Sequence, residues 1–266
     1  MAKSKTISGT SPQRETAIQR RMMAVIERKY ERAYRREIRR AIRQLASAET
    51  GQERNIAEDS HRASMSRILN KNWNECANEF GGRVLNPDSK SVWRTVERKD
   101  FMLNPATQYR LMMEAWVAKY GAQKLTEITG TTLENAKEIV ARAVKDAVAE
   151  GLNEAETGRL IQAYIESEST SIGQFRSRMI ARTETHGASQ VSSFNAAYSS
   201  GIDVKKQWSS TMSDRTRQSH LDANGQEREM DEFYDVGGEP LMYPGDLGGS
   251  AANVINCRCI NLIIPK

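Results

Sequence analysis

The residues of this chain with the most chemistry to offer gather in its last third, between Arg182 and Cys259. Arg182-Thr-Glu184 is followed by Lys206-Gln-Trp208, Asp214-Arg-Thr-Arg-Gln-Ser-His220, Tyr243-Pro-Gly-Asp246 and Asn256-Cys-Arg-Cys-Ile260. Two of the three cysteines and two of the three histidines lie there. Cys257 and Cys259, two apart on an extended segment, present both thiols to one face and Arg258 to the other. Such a face supplies half of a tetrahedral zinc site, with His220 and His186 as candidates to complete it. The same pair also suits two small thiols half-buried in a strand, the more common use of cysteine at a C-x-C spacing. Strand geometry separates the two sulfurs and disfavours a disulfide between them.

Arg182 and Glu184 stand two apart on a helix and do not face each other, so each is expected to hold a loop of the domain that follows. Asp214 beside Arg215, Arg217 and His220 places a general base among cations, as a nuclease or transferase requires; a polar turn accounts for the same residues. H-E-x-x-H, G-x-S-x-G and P-loop patterns are absent, and no catalytic reading stands on spacing alone.

Elements that position these residues follow from periodicity. From about Arg14 to Ala48 the apolar positions Ile18, Met22, Ile26, Tyr30, Tyr34, Ile38, Ile42 and Leu45 form one narrow helical stripe. Arg28, Lys29, Arg32, Arg35, Arg36, Arg39, Arg40 and Arg43 flank it, a face for solvent, nucleic-acid phosphates or an acidic partner. Residues 1–50 carry 13 Lys/Arg against 5 Asp/Glu, and the remainder 26 against 29, so the basic excess is confined to this helix.

Residues 49–63 read as a linker or weak helix. Met65, Ile68, Leu69, Trp73, Cys76 and Phe80 then make a helix that Gly81-Gly82 ends, with Cys76 in the core. Asn86-Pro-Asp88 is a turn, Val92, Trp93 and Val96 suggest a short helix, and helical spacing resumes after Pro105. Thr131 is placed to cap a new helix, Gly151 to end it and Asn153 to cap the next. Ser169–Gly173 reads as a loop before a helix from about Gln174 to Ser199. Val204–Ser210 and Val254–Ile264 read as strands.

The fold class is therefore α+β: residues 1–13 a disordered tail, 14–170 helical with a basic first helix, and 171–266 a small α+β domain. Thirty-eight per cent apolar residues and a mean hydropathy of −0.65 suit exposed helices joined to a compact domain. No window matches a membrane span, and the N-terminus has no signal-peptide core. An odd number of cysteines gives no disulfide framework and suits a reducing compartment, the cytoplasm.

The order Arg182-x-Glu184, Asn195, Gly201, Lys206-Gln-Trp208, Asp214-x-Thr216-Arg217-x-x-His220, Gly225, Phe233, Tyr243-Pro-Gly-Asp246 and Asn256-Cys-Arg-Cys259 resembles the phage Mu F-like minor head protein family over about residues 175–262. The resemblance implies a tailed double-stranded DNA phage or prophage, and a non-enzymatic minor capsid protein. Its role would lie in head morphogenesis near the portal vertex, touching DNA packaging or ejection. Implied partners are the portal protein, scaffold or major capsid protein and double-stranded DNA, with no membrane, in a virion assembled in the host cytoplasm. No cofactor is required; zinc is the metal suggested for the positions His220, Cys257 and Cys259. Arg182, Glu184, Asp214, Arg217, Asp246 and Asn256 match the motif's structural positions. The rival reading is a small nuclease or transferase-like enzyme built on Glu184, Asp214 and His220.

Overall fold

The structure is a computed structural model and describes residue 6 and residues 9–85 and 104–266. The expected turn at Asn86-Pro-Asp88 and the short helix around Val92, Trp93 and Val96 lie outside the described residues. Four long helices carry most of the chain: α1 (Pro12–Ala46), α2 (Gly51–Cys76), α4 (Pro105–Glu150) and α5 (Glu154–Ser199). A π-helical turn, Ala77–Gly81, and α3 (Gly82–Leu85) extend α2. Beyond α5 come β1 (Val204–Ser209), α6 (Gln218–Asp222), β2 (Glu227–Glu229), β3 (Tyr234–Val236), β4 (Glu239–Leu241), α7 (Ala251–Val254) and β5 (Ile260–Pro265). Helices followed by small antiparallel sheets give the α+β class expected.

Several boundaries differ from those read in the sequence. Residues 51–63, expected as a linker or weak helix, are fully helical, and Gly81-Gly82 does not end that helix. Thr131 is no cap: its hydroxyl donates back to Glu127 O at 2.8 Å inside α4. The Ser169–Gly173 segment is the middle of α5, where Ser169, Thr170 and Ser171 hydroxyls turn back onto carbonyls of the preceding turn. Such bonds let Ser and Thr sit mid-helix, which a reading of them as loop formers misses. The cap at Asn153 is present, with Glu156 N donating to Asn153 Oδ1 at 3.0 Å and Asn153 N to Glu156 Oε2 at 2.9 Å. Gly151 ends α4 at φ +68°.

The chain divides into two compact units. One takes Arg28–Lys71 and Gly121–Ala181. Its core holds Tyr34, Ile38, Ala41, Ile42, Met65, Leu69, Ile139, Ala143, Ala147 and Ile165, the apolar stripe of α1 among them. Glu37 is buried here and accepts from Arg40 Nη2 at 2.7 Å and contacts His61 Nδ1 at 2.8 Å. Burial alone would raise the Glu37 carboxyl, but His61 and Arg40 hold it below the usual carboxylate range.

The other unit takes the described residues of Met1–Glu27, Asn72–Tyr120 and Arg182–Lys266. Its three-stranded antiparallel sheet has the order β2-β1-β5, with Lys206 opposite both Arg228 and Ile263. β3 and β4 form a separate hairpin. Val204, Ile202, Ala196, Ala197, Ile263 and Val84 pack as one apolar cluster. Trp208, Ala223, Tyr234, Val236, Leu241, Cys257 and Cys259 pack as another. β1 alternates strictly, so Val204, Lys206 and Trp208 all point inward.

Candidate metal centre

His220 is carried by the short helix α6 and is 2% exposed. Its ring stands edge-on to Trp208, 5.6 Å between centroids, and Ser210 Oγ donates to its backbone carbonyl. Trp208 Nε1 donates to the same Ser210 Oγ at 3.1 Å, so one hydroxyl ties the indole to the backbone of His220.

Cys257 and Cys259 lie just before β5 rather than within a strand. Asn256 adopts φ +58°, a left-handed conformation that Asn tolerates and that breaks the extended run expected from Val254 onward. Both thiols are nonetheless buried toward one place. His220 Nδ1 lies 3.3 Å from Cys259 Sγ and 3.7 Å from Cys257 Sγ, and the three ligand atoms lie within 4.8 Å of one another.

The loop that carries the thiols is gripped in part by residues the motif singles out, Arg182, Arg217 and Asn256. Arg182 Nη1 donates to Asn256 Oδ1 at 3.2 Å while its Nε pairs with Glu27 at 3.1 Å. Asn256 N donates to Thr183 Oγ1 at 3.2 Å, Arg217 Nη2 to Ile255 O, and Thr211 Oγ1 to Arg258 O at 2.8 Å. His186 Nε2 lies 2.7 Å from Cys259 O. That bond corrects the idea of His186 as a fourth ligand: the ring nitrogen facing the loop is used on its backbone. Burial lowers the His186 pKa and favours its neutral form, which suits a donor to a carbonyl.

The donor set fits zinc. Tetrahedral coordination at about 2.3 Å to sulfur and about 2.0 Å to nitrogen puts N and S roughly 3.5 Å apart, the separation found here. Electrostatics agree. Burial and the neighbouring Cys259 push the Cys257 thiol well up, while the bond from Cys257 and then His220 pull Cys259 down to about 4. The pair thus shares one proton, which a divalent cation would replace. Three protein ligands leave one tetrahedral position without a donor among the residues named here.

Other expected site residues fall elsewhere. Glu184 is buried, with Trp73 Nε1 donating to it at 3.2 Å. Asp214 is exposed, so Glu184, Asp214 and His220 have three different surroundings. Asp246 closes its turn by accepting from Met242 N and Gly248 N, both at 3.0 Å. Within α1, Arg35 pairs with Glu31, Arg40 with Glu37, and Arg43 lies 3.8 Å from Glu166. Arg28, Lys29, Arg32, Arg36 and Arg43 remain exposed; Arg39 is half-buried, its stem against Gly173.

Lys206 was not singled out beyond its place in the motif, yet it is fully buried. Its Nζ donates to Met242 O at 2.9 Å and Met230 O at 3.4 Å, and lies 5.1 Å from the ring centroids of both Phe194 and Tyr234. The signal was available: it is the charged residue on the inward side of an alternating strand. Gly245 is a second such residue. At φ +77° it suits glycine, and a Cβ there would come 2.4 Å from His186 Nδ1. Gly245→Ala is therefore expected to cost about 2–4 kcal/mol, from backbone strain and displacement of a buried ring. Urea denaturation reads it, and a cost below about 0.5 kcal/mol would show that His186 is not fixed in place.

Comparison with known proteins places the site in a family region. Residues 138–262, in the C-terminal half of the chain, match the family described as Phage Mu protein F like protein. The match starts earlier than the motif order suggested and takes in the end of α4 and all of α5. The chain is also 26% identical over 176 residues to a protein of Enterococcus faecalis named NAD(+)--arginine ADP-ribosyltransferase EFV. That likeness covers 64% of this chain and 35% of the relative, so the chain spans about a third of that protein's length. No solved structure matches.

Proposed function

We propose that this chain is a minor head protein of a tailed double-stranded DNA phage or prophage, acting in head morphogenesis near the portal vertex and in DNA packaging or ejection. The observation that carries the reading is the Phage Mu protein F like match over residues 138–262. Its motif residues Arg182, Arg217 and Asn256 act here as braces on a loop rather than as reacting groups. The partners proposed are the portal, scaffold or major capsid protein, with double-stranded DNA against the basic face of α1. Among the described residues no helix is long and apolar enough to cross a membrane. The deciding experiment is peptide mass spectrometry on purified heads of the parent phage. Retention at low copy relative to the major shell protein supports the reading, and absence from heads with free protein in the lysate overturns it.

DNA contact makes its own prediction. Phosphate binding by Arg and Lys releases counterions, so affinity should fall steeply with salt and show no sequence preference. Reversing the charge of the exposed Arg28, Lys29, Arg32 and Arg36 should lower affinity at least tenfold and flatten the salt dependence. Unchanged binding would remove DNA from the partners of this helix.

A second reading, transferase activity, is favoured by the name of the Enterococcus faecalis relative. Most of that protein has no counterpart in this chain, and Glu184 here is packed beneath Trp73 rather than open to a substrate. Incubation with labelled NAD(+) and an arginine-rich acceptor tests it: label transfer that is lost in Glu184→Gln, with the fold intact, would establish an enzyme.

A further inference from the structure

We propose that the pocket between Arg20, Arg182 and Arg258 binds a phosphate-class oxyanion. The cavity measures about 100 Å³, and its walls include these three arginines with Glu27, His186 and Cys257. Small-molecule and cofactor sites usually measure about 300–1,000 Å³, so this one suits a compact ion or a single terminal group rather than a nucleotide.

Charge and hydrogen bonding both point to an anion. Three guanidinium groups face one carboxylate, Glu27, which Arg182 Nε already holds at 3.1 Å. Arg20 gives Nη2 to Ser210 O at 3.1 Å, but its buried Nε has no partner. Arg258 has no side-chain hydrogen bond or ion pair among the described residues. Three arginines on the wall of one small cavity also repel one another. A tetrahedral dianion relieves that repulsion, and guanidinium forks match its oxygens in geometry. Arg258 stands between the two cysteines, so a bound oxyanion would tie Arg20 of α1 to the thiol-bearing loop.

Calorimetric titration of the full-length chain with inorganic phosphate, at constant ionic strength and with chloride as reference, tests the site. Wild type should bind one phosphate saturably. Arg20→Gln and Arg258→Gln should each weaken binding at least tenfold, while Arg110→Gln, an exposed residue of α4, should leave it unchanged. Arg258→Gln removes a side chain without protein partners, so its circular dichroism should match wild type. No saturable binding by wild type, or equal binding by both pocket variants, overturns the proposal. Given binding, displacement of phosphate by a 5′-phosphorylated oligonucleotide but not by its unphosphorylated form identifies a partner's terminal phosphate as the source. Displacement by neither identifies the free ion.

Discussion

Cys259→Ser is expected to abolish stoichiometric zinc and to lower the thermal midpoint by roughly 10 °C, the equivalent of about 3 kcal/mol in a chain of this size. Cys259 is the thiol of the pair that favours the thiolate, the form that binds metal, and the loop it anchors is the one braced by Arg182, Thr183, Thr211 and Arg217. Cys257→Ser and His220→Ala should act alike, because each removes one of three ligands. Cys76→Ser supplies the control. Cys76 is buried with its sulfur against Asn72 and the Thr185 carbonyl, so zinc should be retained even if stability falls. Proton linkage adds a direction: zinc must displace the proton that burial keeps on Cys257, so affinity should rise with pH through neutrality. Metal analysis of protein purified without chelators decides the matter. Wild type with no zinc, or Cys259→Ser with zinc intact, would reduce the cluster to a buried thiol pair beside an imidazole.

Lys206 should dominate the pH dependence of stability near and above neutrality. Burial lowers its pKa to about 7, while Asp231, Asp246 and Glu232 pull the other way. In the unfolded chain the amine keeps its ordinary value of 10.5. Below about 7 both states carry the proton, and the folded state bears the cost of a buried charge. Between about 7 and 10.5 only the unfolded chain binds it, so stability rises with pH across this window. The slope approaches about 1.4 kcal/mol per pH unit, and the full span amounts to several kcal/mol.

Lys206→Met keeps the length of the side chain and removes the titration. It also leaves the Met230 and Met242 carbonyls without their donor, at a cost of about 1–3 kcal/mol each when nothing replaces it. The variant should therefore trail wild type by a growing margin from pH 7 to 9.5 and close the gap toward pH 6. Urea midpoints at a series of pH values give the difference curve directly. A flat curve would mean that Lys206 stays charged in the folded protein, held by its carbonyls and the rings of Phe194 and Tyr234.

Much of the architecture was legible in the chain because it rests on local rules. The stripe from Ile26 to Leu45 is written in steps of three and four, and these residues are buried as that spacing requires. Gly151 and Asn153 mark a helix end and a helix start through bonds that span three or four residues. β1 shows its inward face by alternation, Lys206 included. The breaks misread at Gly81, Thr131 and Ser169 belong to the same level: Ser, Thr and Gly have local alternatives to loops, and helix packing selected them.

What the sequence determined by itself was which residue types stand ready: two cysteines, a histidine in the same third of the chain, and a set of polar residues in a recognisable order. Spacing alone favoured two idle thiols at Cys257 and Cys259 over a zinc site. Tertiary structure brought His220 to 3.3 Å from Cys259 across nearly forty residues, and turned His186 away onto a backbone carbonyl. It likewise gathered Arg20, Arg182 and Arg258, distant in sequence, around one cavity. Proximity of that kind depends on long-range packing around Trp208 and Tyr234, whose burial gains come from contacts that no local window of sequence contains.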